Sequence, residues 1–235
     1  MAKNPTLQNR FQQFIQGNPR AEWADDLAEL SRVGSERRAD FLLDNRSIVG
    51  EIKSLEEDPC WKIDEEVTRL QEERGFIVVG RVHLKGIFSN FPDSDELSRR
   101  IMRRVTRAIE HALSKANSQI ESTKRLLALP QADGVLILLN GDIAILDPGL
   151  VRGKVQSLLD EKDGSGLTRY PHVVGVLFLT EKHRVRIIGR SKPLGLIIAK
   201  GQFPSFGQTG NALIRLLSEW ATHGGPDVHH LRSPQ

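Results

Sequence analysis

One cysteine, Cys60, stands in 235 residues. That excludes an internal disulfide and any cysteine cage around a metal, and it fits a reducing compartment. No apolar run approaches the roughly 18 residues needed to cross a bilayer. The opening MAKNPTLQNR has no apolar signal core, so a cytoplasmic location is expected. Several chemistries are missing their signatures. Without G-x-x-x-x-G-K-[ST] there is no P-loop to cradle a nucleotide phosphate, and no G-x-G-x-x-G opens a helix after a strand. There is no H-E-x-x-H for zinc and no G-x-S-x-G for a serine hydrolase. The seven histidines are scattered, two of them adjacent at His229-His230.

What remains is an ordinary globular composition, 39% hydrophobic and 27% charged. The length suits one large domain or two small ones with a sizeable core. Net charge is only +3 although the pI is about 9.1. Any attraction to nucleic acid must therefore come from local clustering of charge.

The informative stretch is RRADFLLDNRSIVGEIKSL, from Arg37 to Leu55. It predicts two strands, Arg38–Leu43 and Ile48–Ser54, joined by a turn at Asp44-Asn45-Arg46-Ser47. A tight turn on Asn45-Arg46 places Asp40 directly across from Glu51, their Cβ atoms roughly 5 Å apart on one face. Lys53 projects from the same face because side chains alternate with period two. Phe41, Leu43, Ile48 and Ile52 form the opposite, apolar face. Two carboxylates so placed repel unless a cation sits between them. Two readings fit: a divalent-metal site with a lysine beside it, or a solvated hairpin face with a cross-strand ion pair.

An Asp, a spacer of ten residues and then Glu51-Ile52-Lys53 resembles the signature of the PD-(D/E)xK phosphodiesterases, the restriction-endonuclease-like superfamily. The proline that usually precedes the Asp is replaced by Ala39. The resemblance covers about twenty residues well. It implies a metal-dependent nuclease in which Asp40 and Glu51 hold Mg²⁺ or Mn²⁺ and Lys53 assists attack by water. DNA rather than RNA is the expected substrate, an endonuclease the expected form, and a homodimer the expected assembly for cutting both strands. In this family the helix before the Asp strand often brings another Glu to the metal. Residues Arg20–Leu30 read as that helix, with Trp23, Leu27 and Leu30 as its apolar stripe. Glu22 is the first candidate for the extra ligand and Glu29 the second; a solvated acidic face explains either equally well. The alternative function is a non-catalytic nucleic-acid-binding or assembly protein on the same scaffold.

Along the rest of the chain, Leu7–Gln16 reads as a short helix, Trp61–Gly75 as a Glu-rich helix and Phe76–Lys85 as a strand. Residues 95–128 form the longest helical pattern, with Leu97, Ile101, Val105, Ile109 and Leu113 on its buried stripe. Arg99, Arg100, Arg103, Arg104 and Arg107 line its other side, a row suited either to a phosphate backbone or to plain solvation. Gln119 and Lys124 match the Gln or Lys that several branches of the family carry on this helix. Gly134–Asn140 and Val173–Leu179 read as fully buried strands. Between them lie a short strand at Ile143–Leu146 and a helix at Leu150–Glu161; Asp142 and Asp147 flank that strand, where metal ligation is one reading and loop or cap roles are the commoner one. Arg184–Ile188 and Leu194–Ala199 read as strands, a turn at Glu181-Lys182-His183 preceding the first, and Gly210–Thr222 as a closing helix.

The expected fold is α/β, a mixed central sheet flanked by helices, with a restriction-endonuclease-like core, an insertion and a C-terminal α/β extension. All of it is assigned to one domain. The core is 20–55 plus 94–146, the insertion 56–93 and the extension 147–223, with a flexible tail at 224–235.

Overall fold

The structure, a computed structural model, describes residues 5–31, 37–56, 59–75, 91–187, 190–201 and 207–223. The strand expected at Phe76–Lys85 and the tail at 224–235 lie outside them. Six strands among the described residues form one mixed sheet in the order of the chain. They are β1 (Ala21–Trp23), β2 (Phe41–Leu43), β3 (Ile48–Leu55), β4 (Asp133–Asn140), β5 (Gly175–Ile187) and β6 (Arg190–Ala199). β3, β4 and β5 run parallel at the centre, with antiparallel strands on both sides.

The period of two along the central strands divides their side chains between two cores. Val49 and Leu55 of β3, Leu136 and Leu138 of β4, and Val176 and Phe178 of β5 enter one core. Helices α3 (Cys60–Arg74), α4 (Ser94–Leu126) and α5 (Pro148–Asp160) cover that face. Ile48 and Ile52, Val135 and Ile137, and Leu177 and Leu179 enter the other core. There they meet α1 (Leu7–Gln16) and α6 (Gly207–His223). The helix caps follow the sequence. Thr6 accepts from Asn9 N at the start of α1, and Asp147 accepts from Gly149 N and Leu150 N ahead of Pro148, taking the cap role expected of it. Gly75 closes α3 in the left-handed conformation.

The hairpin register is as the sequence predicts: Phe41 pairs with Gly50, Leu42 with Val49 and Leu43 with Ile48. Ser47 N bonds to Asp44 O across Asn45 and Arg46, both at positive φ. A left-handed Arg is uncommon and strained. Ion pairs hold the turn in that shape: Asp44 to Arg20 at 2.7 Å and Arg46 to Glu22 at 2.7 Å.

Four elements differ from expectation. Residues 20–30 are not one helix. Ala21–Trp23 is a strand paired with β2, followed by a 3-10 turn at Ala24–Asp26 and a short helix α2 (Ala28–Ser31). Trp23 packs in one core and Leu27 in the other, so their helical spacing is coincidental. Tertiary pairing of the open β2 edge outweighs local propensity. β2 starts at Phe41 rather than Arg38, because side chains of α4 take the backbone groups of Arg38 and Ala39. Ile143–Leu146 is no strand: buried Asn140 accepts from Ile143 N and donates to the carbonyls of Ile143 and Leu146. The turn expected at Glu181-Lys182-His183 is an irregularity inside β5, where pairing with β6 shifts register between Thr180 and Arg184 and then resumes.

Candidate functional site

Asp40 and Glu51 lie across the hairpin from one another, on the face shared with Leu42 and Val49. Two bonds fix the bend at Asp40: its N–H donates to Gly50 O at 3.0 Å, and its Oδ2 accepts from Ile52 N at 2.6 Å. Ala24 N donates to Asp40 O at 2.9 Å, tying the β1 end to the same residue. From the helix side, Thr123 Oγ1 accepts from Ala39 N at 2.8 Å, and Gln119 Nε2 donates to Arg38 O at 2.7 Å. α4 therefore grips the two residues immediately before Asp40.

Glu51 is only 1% exposed. Its Oε1 pairs with Lys53 Nζ, while its Oε2 is buried without a hydrogen-bond partner among the described residues. Burial, and next the charge of Asp40, push the Glu51 carboxyl up to about 8 against the pull of Lys53. Burial also raises Asp40, offset in part by the Ile52 hydrogen bond and by Lys53, and reinforced by the charge of Asp25. Lys53 keeps its side chain 24% exposed, so the trio is reached by solvent from the lysine side. A solvated hairpin face does not describe a carboxylate this deeply buried.

Glu22 sits on strand β1 rather than on a helix, and Arg46 holds its carboxylate through Nε and Nη2. The same guanidinium reaches Glu29 at 3.2 Å. Both candidates for an extra ligand are thus engaged by one arginine. Among the described residues, no group of three or more His, Cys, Asp or Glu side chains is arranged to hold a metal ion. The carboxylate that sequence reasoning passed over is Asp25, in the 3-10 turn next to Ala24, close enough to raise Asp40. A helical reading of 20–30 hides it.

The arginine row divides in two. Arg100 and Arg104 turn toward α3, where Glu66 accepts from them at 2.5 and 3.3 Å and from Arg69 at 2.6 Å. Burial alone would raise the Glu66 carboxyl, but these guanidinium groups hold it below its ordinary value. Arg99, Arg103 and Arg107 are exposed on the outer face of α4. Gln119 serves the backbone of Arg38, as above. Lys124 is half-buried, its ammonium lowered by burial while Asp133, at the start of β4, pulls it the other way.

No protein-family model, no curated protein and no solved structure matches this chain.

Proposed function

We propose that this chain is a metal-dependent nuclease acting on DNA, with Asp40 and Glu51 as ligands of Mg²⁺ or Mn²⁺ and Lys53 beside them. The observation that carries the reading is Glu51: a carboxylate out of water, facing a second carboxylate, with one oxygen left without a partner among the described residues. An arrangement that raises an acid to about 8 is costly for the charged form unless a cation joins it. The order of elements through β4, counting the principal helices, is α1-β1-β2-β3-α4-β4, with α3 between β3 and α4. That order supports a restriction-endonuclease-like core, including a first strand not visible in the sequence.

The orphaned Oε2 of Glu51 and the adjoining Asp40 fit an oxygen-ligated divalent cation. Bound there, such an ion supplies Lewis-acid activation of water and neutralises phosphate charge. Glu51 must lose its proton to serve as a ligand, so binding strengthens as pH rises toward 8. Asp40 is held in place by Ile52 N, which leaves its orientation independent of substrate. Lys53 neutralises Glu51 when the site is empty of substrate. With a phosphodiester bound, its ammonium steadies a non-bridging oxygen and orients the attacking water.

One observation favours a second reading, a nucleic-acid-binding protein without cleavage: no three-carboxylate group is assembled among the described residues. Activity decides between them. Asp40→Ala and Lys53→Ala are expected to abolish Mn²⁺-dependent cleavage of DNA with the fold intact by circular dichroism. Full activity in either variant removes the assignment. Calorimetry with Mn²⁺ on wild type and an Asp40→Ala/Glu51→Ala variant tests the ligands directly.

A further inference from the structure

The outer face of α4 carries more positive charge than its arginines. Arg99, Arg103, Arg107, His111 and Lys115 recur at every fourth position and all are exposed. At 1.5 Å per residue they form an oblique ridge that rises roughly 24 Å in steps of roughly 6 Å and turns about 40° round the helix at each step. Arg99 donates to the carbonyl of Asp95 in its own helix. Among the described residues, Arg103, Arg107, His111 and Lys115 have no acidic partner. The next position in the series is Gln119, which bonds to the backbone two residues before Asp40. The line therefore leads toward the candidate carboxylates.

On the neighbouring helix α3 stands Trp61, 52% exposed, and among the described residues only Leu167 is another large apolar side chain so exposed. It lies on α3 opposite the buried positions Ile63, Glu66 and Leu70. α3 and α4 run antiparallel: Arg74 pairs with Asp93, Glu66 with Arg100, and Glu65 with Arg104. Continued by one turn from the Glu65–Arg104 pair, this antiparallel register brings position 61 level with position 108. Lys62 adds its ammonium 5.1 Å from the Trp61 ring centroid. The acids of α3 nearest this face are Asp64 and Glu65, the second already paired with Arg104.

We infer that the paired outer faces of α3 and α4 bind single-stranded nucleic acid, its backbone along Arg99–Lys115 and one base stacked on Trp61. A line of cations is complementary to a polyanion. An exposed indole beside it can stack on a base only if that base is unpaired, which is how sequence-tolerant single-strand sites work. Delivery of the strand to Asp40 and Glu51 rests on the nuclease reading; binding does not.

The test is fluorescence anisotropy of a labelled oligo(dT) in EDTA, where no cleavage occurs, with oligo(U) and a duplex of equal length alongside. The single strand is expected to bind more tightly than the duplex and more weakly as salt rises. Trp61→Ala is expected to weaken single-strand binding about tenfold and leave duplex binding unchanged, with Trp61→Phe restoring most of it. Arg103→Ala and Arg107→Ala are each expected to flatten the salt dependence by about 0.7 in log–log slope. The tighter of oligo(dT) and oligo(U) identifies the sugar that the site accepts. Unchanged single-strand affinity in Trp61→Ala, or a duplex bound as tightly as the single strand, overturns the inference. Single-strand binding by the wild type with no cleavage on adding Mn²⁺ overturns only the nuclease reading.

Discussion

Replacing Glu51 by Gln keeps the shape of the side chain and removes its charge, which makes the cost of the buried carboxylate measurable. In the unfolded chain Glu51 titrates near 4.5, and in the folded protein at about 8. Between those values the folded state holds a proton that the unfolded state has released, so stability falls as pH rises. At about 1.4 kcal/mol per pH unit, the full shift corresponds to roughly 5 kcal/mol. Relaxation around the solvent-facing Lys53 reduces this, and about 3 kcal/mol is the expected difference. Wild type and Glu51→Gln should be equally stable near pH 4.5, with the variant ahead by that amount at pH 8.5. For a chain of this size the gap corresponds to about 6–12 °C in Tm. Urea unfolding in EDTA at intervals from pH 4.5 to 8.5 reads the difference. Parallel curves for the two proteins would sink the claim that Glu51 is forced to carry an unfavourable charge. Adding Mn²⁺ at pH 8 extends the test. At a hundred times Kd the ion should return about 2.7 kcal/mol to wild type and almost nothing to the variant.

Two further substitutions probe how the site is held. A Cβ at Gly134 would lie 1.9 Å from the carbonyl oxygen of His172 and 2.6 Å from Ile120 Cγ2. Gly134→Ala should lose about 3 kcal/mol or more in chemical denaturation, whereas Gly153→Ala, on open helix surface, should gain about 0.5–1 kcal/mol; equal effects would mean that β4 is not packed as described. Thr123→Val strands the buried Ala39 N–H and should cost about 1–3 kcal/mol. It should also slow cleavage through Asp40, with Thr123→Ser restoring both; a Val variant of full stability and activity would show that α4 does not position Asp40.

The hairpin was legible because its evidence is local. Asn45-Arg46 fixes the turn, the turn fixes the register, and period-two alternation then assigns every side chain to a face. The central strands β4 and β5 announced themselves as continuous apolar runs, and α4 as a long amphipathic pattern, for the same reason. The sequence by itself thus determined that Asp40, Glu51 and Lys53 share one face of a hairpin. It could not determine what lies over that face. Glu51 lies on a strand that pairs with β4 from far along the chain, and burial, more than the proximity of Asp40, drives its carboxyl to about 8. Strand β1 likewise exists only because β2 offers an open edge, and that pairing puts Glu22 under Arg46 and brings Asp25 toward Asp40. The division of the arginines was also a tertiary outcome. Sequence spacing showed a basic helix, and only the packing of α3 through Glu66 engaged Arg100 and Arg104 in ion pairs. Local pattern sets which way a side chain points; the partner it meets there is a contact between distant segments, and in this protein such contacts govern the charge of the candidate site.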